Sequence, residues 1–292
     1  MAYTDIDKPS DYFNTILYTG NNTDNTSITG VGFQPDWVWL KARNQADYHY
    51  SMDSVRGALK PLFQNDTSAE ANFSDSLKSF NTDGFTLGTS GDLNAASQTM
   101  VAWNWKAGGS ASNNTDGNTT TSVSVNQDAG FSIMKYAGDG NDSTIGHGLG
   151  AKPEYIIFKE IDGAESWRVW SKYTPDTASK ALALNLTDAA FSQSGWIGAI
   201  STSTISIGTD SSINTNGNNY IAYAFAPKKG FSSAGSYVGN GNNDGTFIWT
   251  GQKSAFVLVK RTDAVANWSL IDNTRDPFNV TYHFLEPNVS DD

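Results

Sequence analysis

The chain has 292 residues, enough for two or three domains with cores of their own, and a formal net charge of -11 from 19 Lys and Arg against 30 Asp and Glu. With no basic run longer than Lys228-Lys229, that balance argues against nucleic acid or an anionic membrane as partner, because phosphate binding needs a basic patch. The absence of cysteine excludes a disulfide framework and thiolate chemistry.

Nine Trp, 12 Tyr and 15 Phe stand among abundant Asn, Ser, Thr and Gly, which suits short strands joined by polar turns. The N-terminal stretch Met1 to Pro9 lacks the apolar segment of a signal peptide, and no apolar run reaches the length of a membrane span.

The chain repeats itself. An opening strand of alternating polarity is expected at Tyr12 to Tyr18 before Gly20-Asn21, at Phe131 to Ala137 before Gly138, and at Phe231 to Val238 before Gly239-Asn240. A buried strand follows each: Trp37 to Lys41, Tyr155 to Lys159 and Phe256 to Lys260. Each ends on lysine, and eight residues later comes His49, Trp167 or Trp268. The bulk of Trp37 and Trp39 recurs as Tyr155 and Ile157, then as Phe256 and Leu258. That pattern fits a core, which needs volume, better than a ligand site, which would need the ring.

A partner strand is expected near Tyr48 to Met52, with equivalents from Trp167 and from Trp268. Asp53 and Arg56 follow in the first repeat and recur as Asp272 and Arg275; the second repeat has Ser171 and Thr174 instead. Asp66-Thr67-Ser68-Ala69-Glu70 resembles a helix start. A closing half comes next, Phe80 to Gly88 and then Thr99 to Lys106, matched by Ile200 to Gly208 and Asn219 to Ala226. In its last strand large aromatics alternate with alanine, putting Trp103 and Trp105 on one face, as Tyr223 and Phe225 are.

These blocks define a first repeat (1–109), a polar linker or loop (110–122), a second repeat (123–229) and a third, incomplete repeat (230–292). The expected fold class is all-β, tandem antiparallel β-sandwich repeats of jelly-roll or lectin-like type. The third repeat has no counterpart of the closing strand. Further chain, another subunit or a different local fold would each deal with its open face, and capping through oligomer contacts is the preferred expectation.

The runs Ile6 to Phe13, Leu17 to Asn21, Val31 to Lys41, Asp53 to Gly57, Phe80 to Gly88 and Val101 to Lys106 resemble an uncharacterised β-repeat domain family. That family occurs in virion proteins of marine tailed bacteriophages. The resemblance covers residues 6 to 110 well and the later repeats as degenerate copies, and its motifs bring no catalytic residues with them. It implies a non-enzymatic structural protein at the surface of a phage head or tail. The role it implies is a tail, tail-fibre or host-attachment component, with a capsid decoration or head fibre as alternative. Implied partners are other virion proteins, further copies in a homotrimer or other homo-oligomer, and a host surface glycan or receptor.

Two other functions find weaker support in the residues. An enzyme finds little support: His49, His147 and His283 are scattered, metal-ligand spacing and a nucleophile elbow are missing, and no cofactor is expected. Asp36 and Glu154 share a repeat position and are the nearest thing to paired carboxylates for a polysaccharide-degrading enzyme. For a carbohydrate-binding module, the aromatic most suited to stacking on sugar is Trp196, read as loop-borne between Gly195 and Ile197. The remaining aromatics Trp37, Trp39, Trp103, Trp105, Tyr155, Phe158, Trp167, Tyr223, Phe225, Phe256 and Trp268 are assigned to the repeat core. Asp53–Arg56 and Asp272–Arg275 are expected as exposed structural ion pairs, each contributing roughly 0–1 kcal/mol. The oxygen-rich turns at 139–142 and 240–245 read as ordinary Asn/Asp/Gly turns, not as calcium loops.

Overall fold

A computed structural model describes residues 4–176 and 179–291; the first three residues of the N-terminal stretch lie outside them. Among the described residues the chain is almost entirely antiparallel β-structure, and no helix is long and apolar enough to cross a membrane.

Unit 1 begins with β1 (Phe13–Thr19), β2 (Thr26–Thr29), β3 (Trp37–Ala42), β4 (Tyr50–Asp53) and β5 (Leu62–Phe63). Its closing half is β6 (Leu77–Asn81), β7 (Gly84–Leu87), a one-turn helix α1 (Gly91–Asn94) and β8 (Thr99–Trp105). The closing strand β8 inserts between β1 and β3, giving a large sheet in the order β1-β8-β3-β4-β5, while β7 pairs with β2 and β6 in a small one.

Unit 2 repeats the plan with additions. It contains β9 (Ser112–Asn114), β10 (Thr121–Asn126), β11 (Phe131–Ala137), β12 (Ser143–Gly146), β13 (Tyr155–Glu160), β14 (Arg168–Ser171) and β15 (Lys180–Ala183). Then come β16 (Phe191–Ser192), β17 (Ile197–Ile200), β18 (Thr204–Ile207), α2 (Ser211–Asn214) and β19 (Asn219–Phe225). Here β19 inserts between β11 and β13, and β18 pairs with β12 and β17. The expected linker 110–122 is therefore not a plain loop: β9 pairs with β10 and extends the second large sheet. Its asparagine-rich sequence is that of an exposed edge strand.

Unit 3 consists of the hairpin β20 (Phe256–Lys260) and β21 (Trp268–Asp272), with Leu285 bridging Leu270 in the place of β5. The strand expected at 231–238 does not form. Tyr237 and Val238 are exposed, as are Phe247, Ile248 and Trp249 where β2 and β12 have their counterpart. The reason is pairing. β1 and β11 pair with closing strands β8 and β19, β2 and β12 with β7 and β18, and among the described residues unit 3 has no counterpart of these. Alternating sequence makes a strand only where a neighbour accepts its hydrogen bonds.

Nor does a helix form at Asp66–Glu70. Asp66 Oδ1 accepts from Ser68 N in a local turn, and Glu70 N donates to Ile161 O across to unit 2. Among the described residues the α-helices are α1 and α2, each closing a matched run, Gly88-Thr89-Ser90-Gly91-Asp92-Leu93-Asn94 and Gly208-Thr209-Asp210-Ser211-Ser212-Ile213-Asn214. Each buried asparagine clasps the opening turn of its unit. Asn94 accepts from Asn21 N and donates to Gly88 O; Asn214 accepts from Asp139 N and donates to Gly208 O.

The large sheets have two apolar faces. Val38, Leu40, Met100 and Ala102 of unit 1 face its own small sheet, as do Ile156, Phe158, Tyr220 and Ala222 of unit 2. The opposite faces meet in one shared core containing Trp37, Trp39, Trp103, Trp105, Trp167, Tyr223 and, from unit 3, Trp268 and Leu270. Tyr155, Phe225 and Phe256 are partly buried against it. The repeats are thus not beads with separate cores.

Two tyrosines lock the opening strands onto the closing halves: Tyr18 OH donates to Leu93 O at 2.9 Å, and Tyr136 OH to Ile213 O at 2.8 Å. Tyr18→Phe and Tyr136→Phe should each lower unfolding free energy by about 1 kcal/mol, the ordinary net worth of such a bond. Tyr237→Phe, at the matching exposed position in unit 3, should change it by less than about 0.5 kcal/mol. Chemical denaturation of the three variants makes the comparison.

Candidate functional site

The polar side chains that looked chemical in the sequence gather at the seams between units. Each central strand ends on a lysine that ties the following turn. Lys41 Nζ donates to Ala42 O and Gln45 O, Lys159 Nζ to Glu160 O and Gly163 O, and Lys260 Nζ to Arg261 O and Ala266 O. Past that turn comes an aromatic ring. Trp167 Nε1 of unit 2 donates to Phe63 O of unit 1 at 2.7 Å, and Trp268 Nε1 of unit 3 donates to Ala183 O of unit 2 at 2.8 Å.

His49 holds this place in unit 1. Its Nδ1 accepts from Trp39 Nε1 at 3.0 Å, which leaves the proton of the neutral ring on Nε2. Burial, reinforced by the Lys41 charge, holds the imidazole well below the usual histidine range. The Glu286 backbone of unit 3 pulls weakly the other way, from outside ordinary hydrogen-bond geometry.

The closing strands make a second set of links in the same rotary sense. Tyr223 OH of unit 2 donates to Asp53 Oδ2 of unit 1 at 2.7 Å; Trp103 Nε1 of unit 1 donates to Asp272 Oδ2 of unit 3 at 3.1 Å. Unit 2 thus reaches to unit 1, unit 3 to unit 2, and unit 1 to unit 3, so the seams close on themselves around the shared core.

Both aspartates are the anchors of the Asp–Arg pairs, and these are buried, not exposed as expected. Asp53 and Arg56 side chains are each 0% accessible, and Arg275 and Asp272 are 4% and 0%. Asp53 Oδ1 accepts from Val55 N and Arg56 N, and Oδ2 from Arg56 Nε at 2.6 Å. Arg56 also donates to Lys60 O, Ser51 O and Glu70. Burial works against its charge, but Asp53, Tyr223 and Glu70 outweigh that and hold the guanidinium above its ordinary range. The Asp accepts from two backbone amides before it meets Arg or the next unit, which explains why a local i,i+3 pair sits so deep.

Trp196, the expected loop-borne stacking residue, is buried. It packs edge-on against Phe158 at 5.9 Å inside the unit 2 core, and the bond from Gly208 N to Trp196 O holds its backbone to the closing half. Its ring offers no face to a sugar. Asp36 is also buried. Its carboxylate accepts from Ala107 N, Gly109 N and Ser54 Oγ, clamping the passage from unit 1 to unit 2; burial pushes the carboxyl up and those bonds pull it back. Glu154 instead accepts from Lys172 Nζ and Tyr173 OH near the surface. The two carboxylates at one repeat position have separate structural partners.

In the 139–142 turn, Asp139 Oδ1 accepts from Asn141 N, as in a simple Asx turn. Among the described residues no group of three or more His, Asp or Glu side chains is arranged to hold a metal ion. One open cleft of about 300 Å³ lies where unit 3 meets unit 1, between Arg43 and Arg275, His283, Glu286 and Asp291. The residues sequence reasoning missed are Asn94 and Asn214. Their signal was present as Gly-Thr, three residues, then Leu or Ile and Asn in both closing halves.

A family model described as a domain of unknown function (DUF7483) matches residues 8–292, all three units together. The chain belongs to this family. No curated protein and no solved structure matches the chain. That the family model spans the units as one block agrees with their shared core, in which one face of each large sheet is buried against the neighbouring units.

Lys159 provides a pH test of the seam. Burial lowers its amine from 10.5 to about 8, against the pull of Glu160 and Glu165. Between those pH values the unfolded chain holds a proton that the folded chain has released, so stability contributed here rises with pH. The burial penalty on the charged amine is full below about pH 8 and gone above pH 10.5. Lys159→Met removes the titration. The stability of the wild type minus that of the variant should climb from pH 8 to 10.5 in denaturation curves, and a flat difference would refute the assignment.

Proposed function

We propose that this protein is a non-enzymatic structural component of a bacteriophage particle, serving in the tail, tail fibre or host-attachment apparatus and working alongside other virion proteins. The observation that carries the reading is the closed ring of seams. The indoles of Trp103, Trp167 and Trp268, the Tyr223 hydroxyl and the buried aspartates Asp53 and Asp272 are all engaged in joining β-units. Side chains that would serve a reaction or a sugar site in another protein are here part of a scaffold. The phage resemblance read in the sequence supplies the biological setting, and a rigid β-scaffold with surface loops suits it.

Mass spectrometry of density-purified particles of the virus that encodes the chain tests this. The protein should be present in fixed ratio to other structural proteins and stay with the particle in high salt. Its absence from purified particles, with presence in the lysate supernatant, would end the proposal.

A further inference from the structure

We propose that unit 3 is an open acceptor for one closing half, a segment that carries the pattern of residues 77–106 and 195–226. The acceptor keeps the features that receive a closing half in the other two units, and among the described residues no closing half fills it.

The first feature is the lock. In units 1 and 2 the runs Tyr18-Thr19-Gly20-Asn21 and Tyr136-Ala137-Gly138-Asp139 dock on Leu93–Asn94 and Ile213–Asn214. The approach is so close that a Cβ on Gly20 would lie 2.2 Å from Ala95 O, and one on Gly138 2.4 Å from Thr215 O. Unit 3 has the same run, Tyr237-Val238-Gly239-Asn240, yet Tyr237 is 51% exposed and nothing lies within 4 Å of a Cβ at Gly239. The second feature is the small-sheet strand: Phe247 and Trp249, at the places of β2 and β12, are 83% and 75% exposed. The third is the free edge of β20, whose counterparts β3 and β13 are bonded on that side to β8 and β19. A cleft of about 450 Å³ opens between Lys228–Ser233 and Trp249–Gln252, in the segment that precedes β20.

The known pairings define the occupant. Trp37 and Tyr155 stand opposite Trp105 and Phe225, Trp39 and Ile157 opposite Trp103 and Tyr223, and Lys41 and Lys159 opposite Val101 and Ile221. A strand filling unit 3 therefore places an aromatic opposite Phe256, a second aromatic opposite Leu258 and a branched aliphatic opposite Lys260, with small residues between. The second aromatic adds a third closing-strand link to the two present, facing Ser171 of unit 2 as Tyr223 faces Asp53 and Trp103 faces Asp272. A second copy of this chain is a poor donor, because β8 and β19 are each bonded on both edges and could be lent only by opening their own units.

The full chain, mixed with a synthetic peptide of residues 195–226, tests this by hydrogen exchange. Saturable slowing of exchange, by about tenfold or more, is expected at 231–240, 246–249 and 256–260 together. The full chain carrying Gly239→Val should keep its own exchange pattern but lose the response, because the added side chain blocks docking. The same peptide joined to the C-terminus by a flexible linker provides a second arm, in which protection should appear without added peptide. No protection in either arm overturns the proposal, as does a response undiminished by Gly239→Val. Concentration-dependent dimerisation that protects these segments without any peptide overturns it in favour of a second copy.

Discussion

Asp53→Ala should lower the unfolding free energy by about 3–5 kcal/mol, the cost of removing one partner from a buried ion pair. The cost is high because Asp53 has several roles at once. It caps two backbone amides, neutralises a guanidinium with no access to water, and receives the Tyr223 hydroxyl from the next unit. Without it Arg56 keeps its bonds to Lys60 O and Ser51 O and its contact with Glu70 at 3.1 Å, but Glu70 also pairs with Lys60. Tyr223→Phe separates the parts. It removes only the bond across the seam and should cost about 1–2 kcal/mol, with an acceptor left short of a donor. Denaturant titration of both variants and the double variant gives the coupling between units directly. A loss below about 1 kcal/mol for Asp53→Ala would place the pair with surface ion pairs and contradict the buried geometry.

Unit 2 offers a natural comparison, since Ser171 and Thr174 stand where the other units have Asp and Arg. Ser171 Oγ still accepts from Tyr173 N, so the turn survives with one backbone bond in place of two. It is also the position that no closing strand reaches within this chain. The charged pair is found where a ring donor arrives from a neighbouring unit, and the neutral residue where none does. Charge, seam and missing strand are thus three aspects of one arrangement.

How much of this was legible in the sequence depends on whether a feature is local. The central strands, the closing strands and their facing were readable, because alternation along a strand reports its two faces directly. That Trp103 and Trp105 share a buried face could be read in the same way. Which core that face belongs to could not, because an apolar residue carries no mark of whether its neighbours lie in its own unit or the next. The Asp53–Arg56 spacing announced an ion pair, yet its partner across the seam is Tyr223, 170 residues away. Trp196 between Gly195 and Ile197 looked like a loop tip; Gly195 O and Trp196 O in fact accept from Asp210 N and Gly208 N, which draw the loop into the core. At 231–238 the strand pattern is sound, and what is lacking is a partner.

The shared core leads to the other large effect. Trp37 stacks on Trp105 of its own unit with centroids 4.3 Å apart, and on Tyr223 of unit 2 at 4.4 Å, while its Nε1 donates to Ser51 Oγ. Trp37→Ala leaves a large void between two sheets and should cost about 3–5 kcal/mol. If the units were separate domains, that loss would stay in unit 1. With one core they open together, so amides of β18 in unit 2, around Ile205 and Ile207, should lose protection by the same free energy as those of β3. Both probes should also report a single transition in denaturant, as a cooperative block requires. Hydrogen exchange under native conditions reads both strands in one measurement. Unchanged protection in β18 beside weakened protection in β3 would mean that the aromatic stack between the units transmits no stability, and that the ring of seams holds three domains in place without making them one.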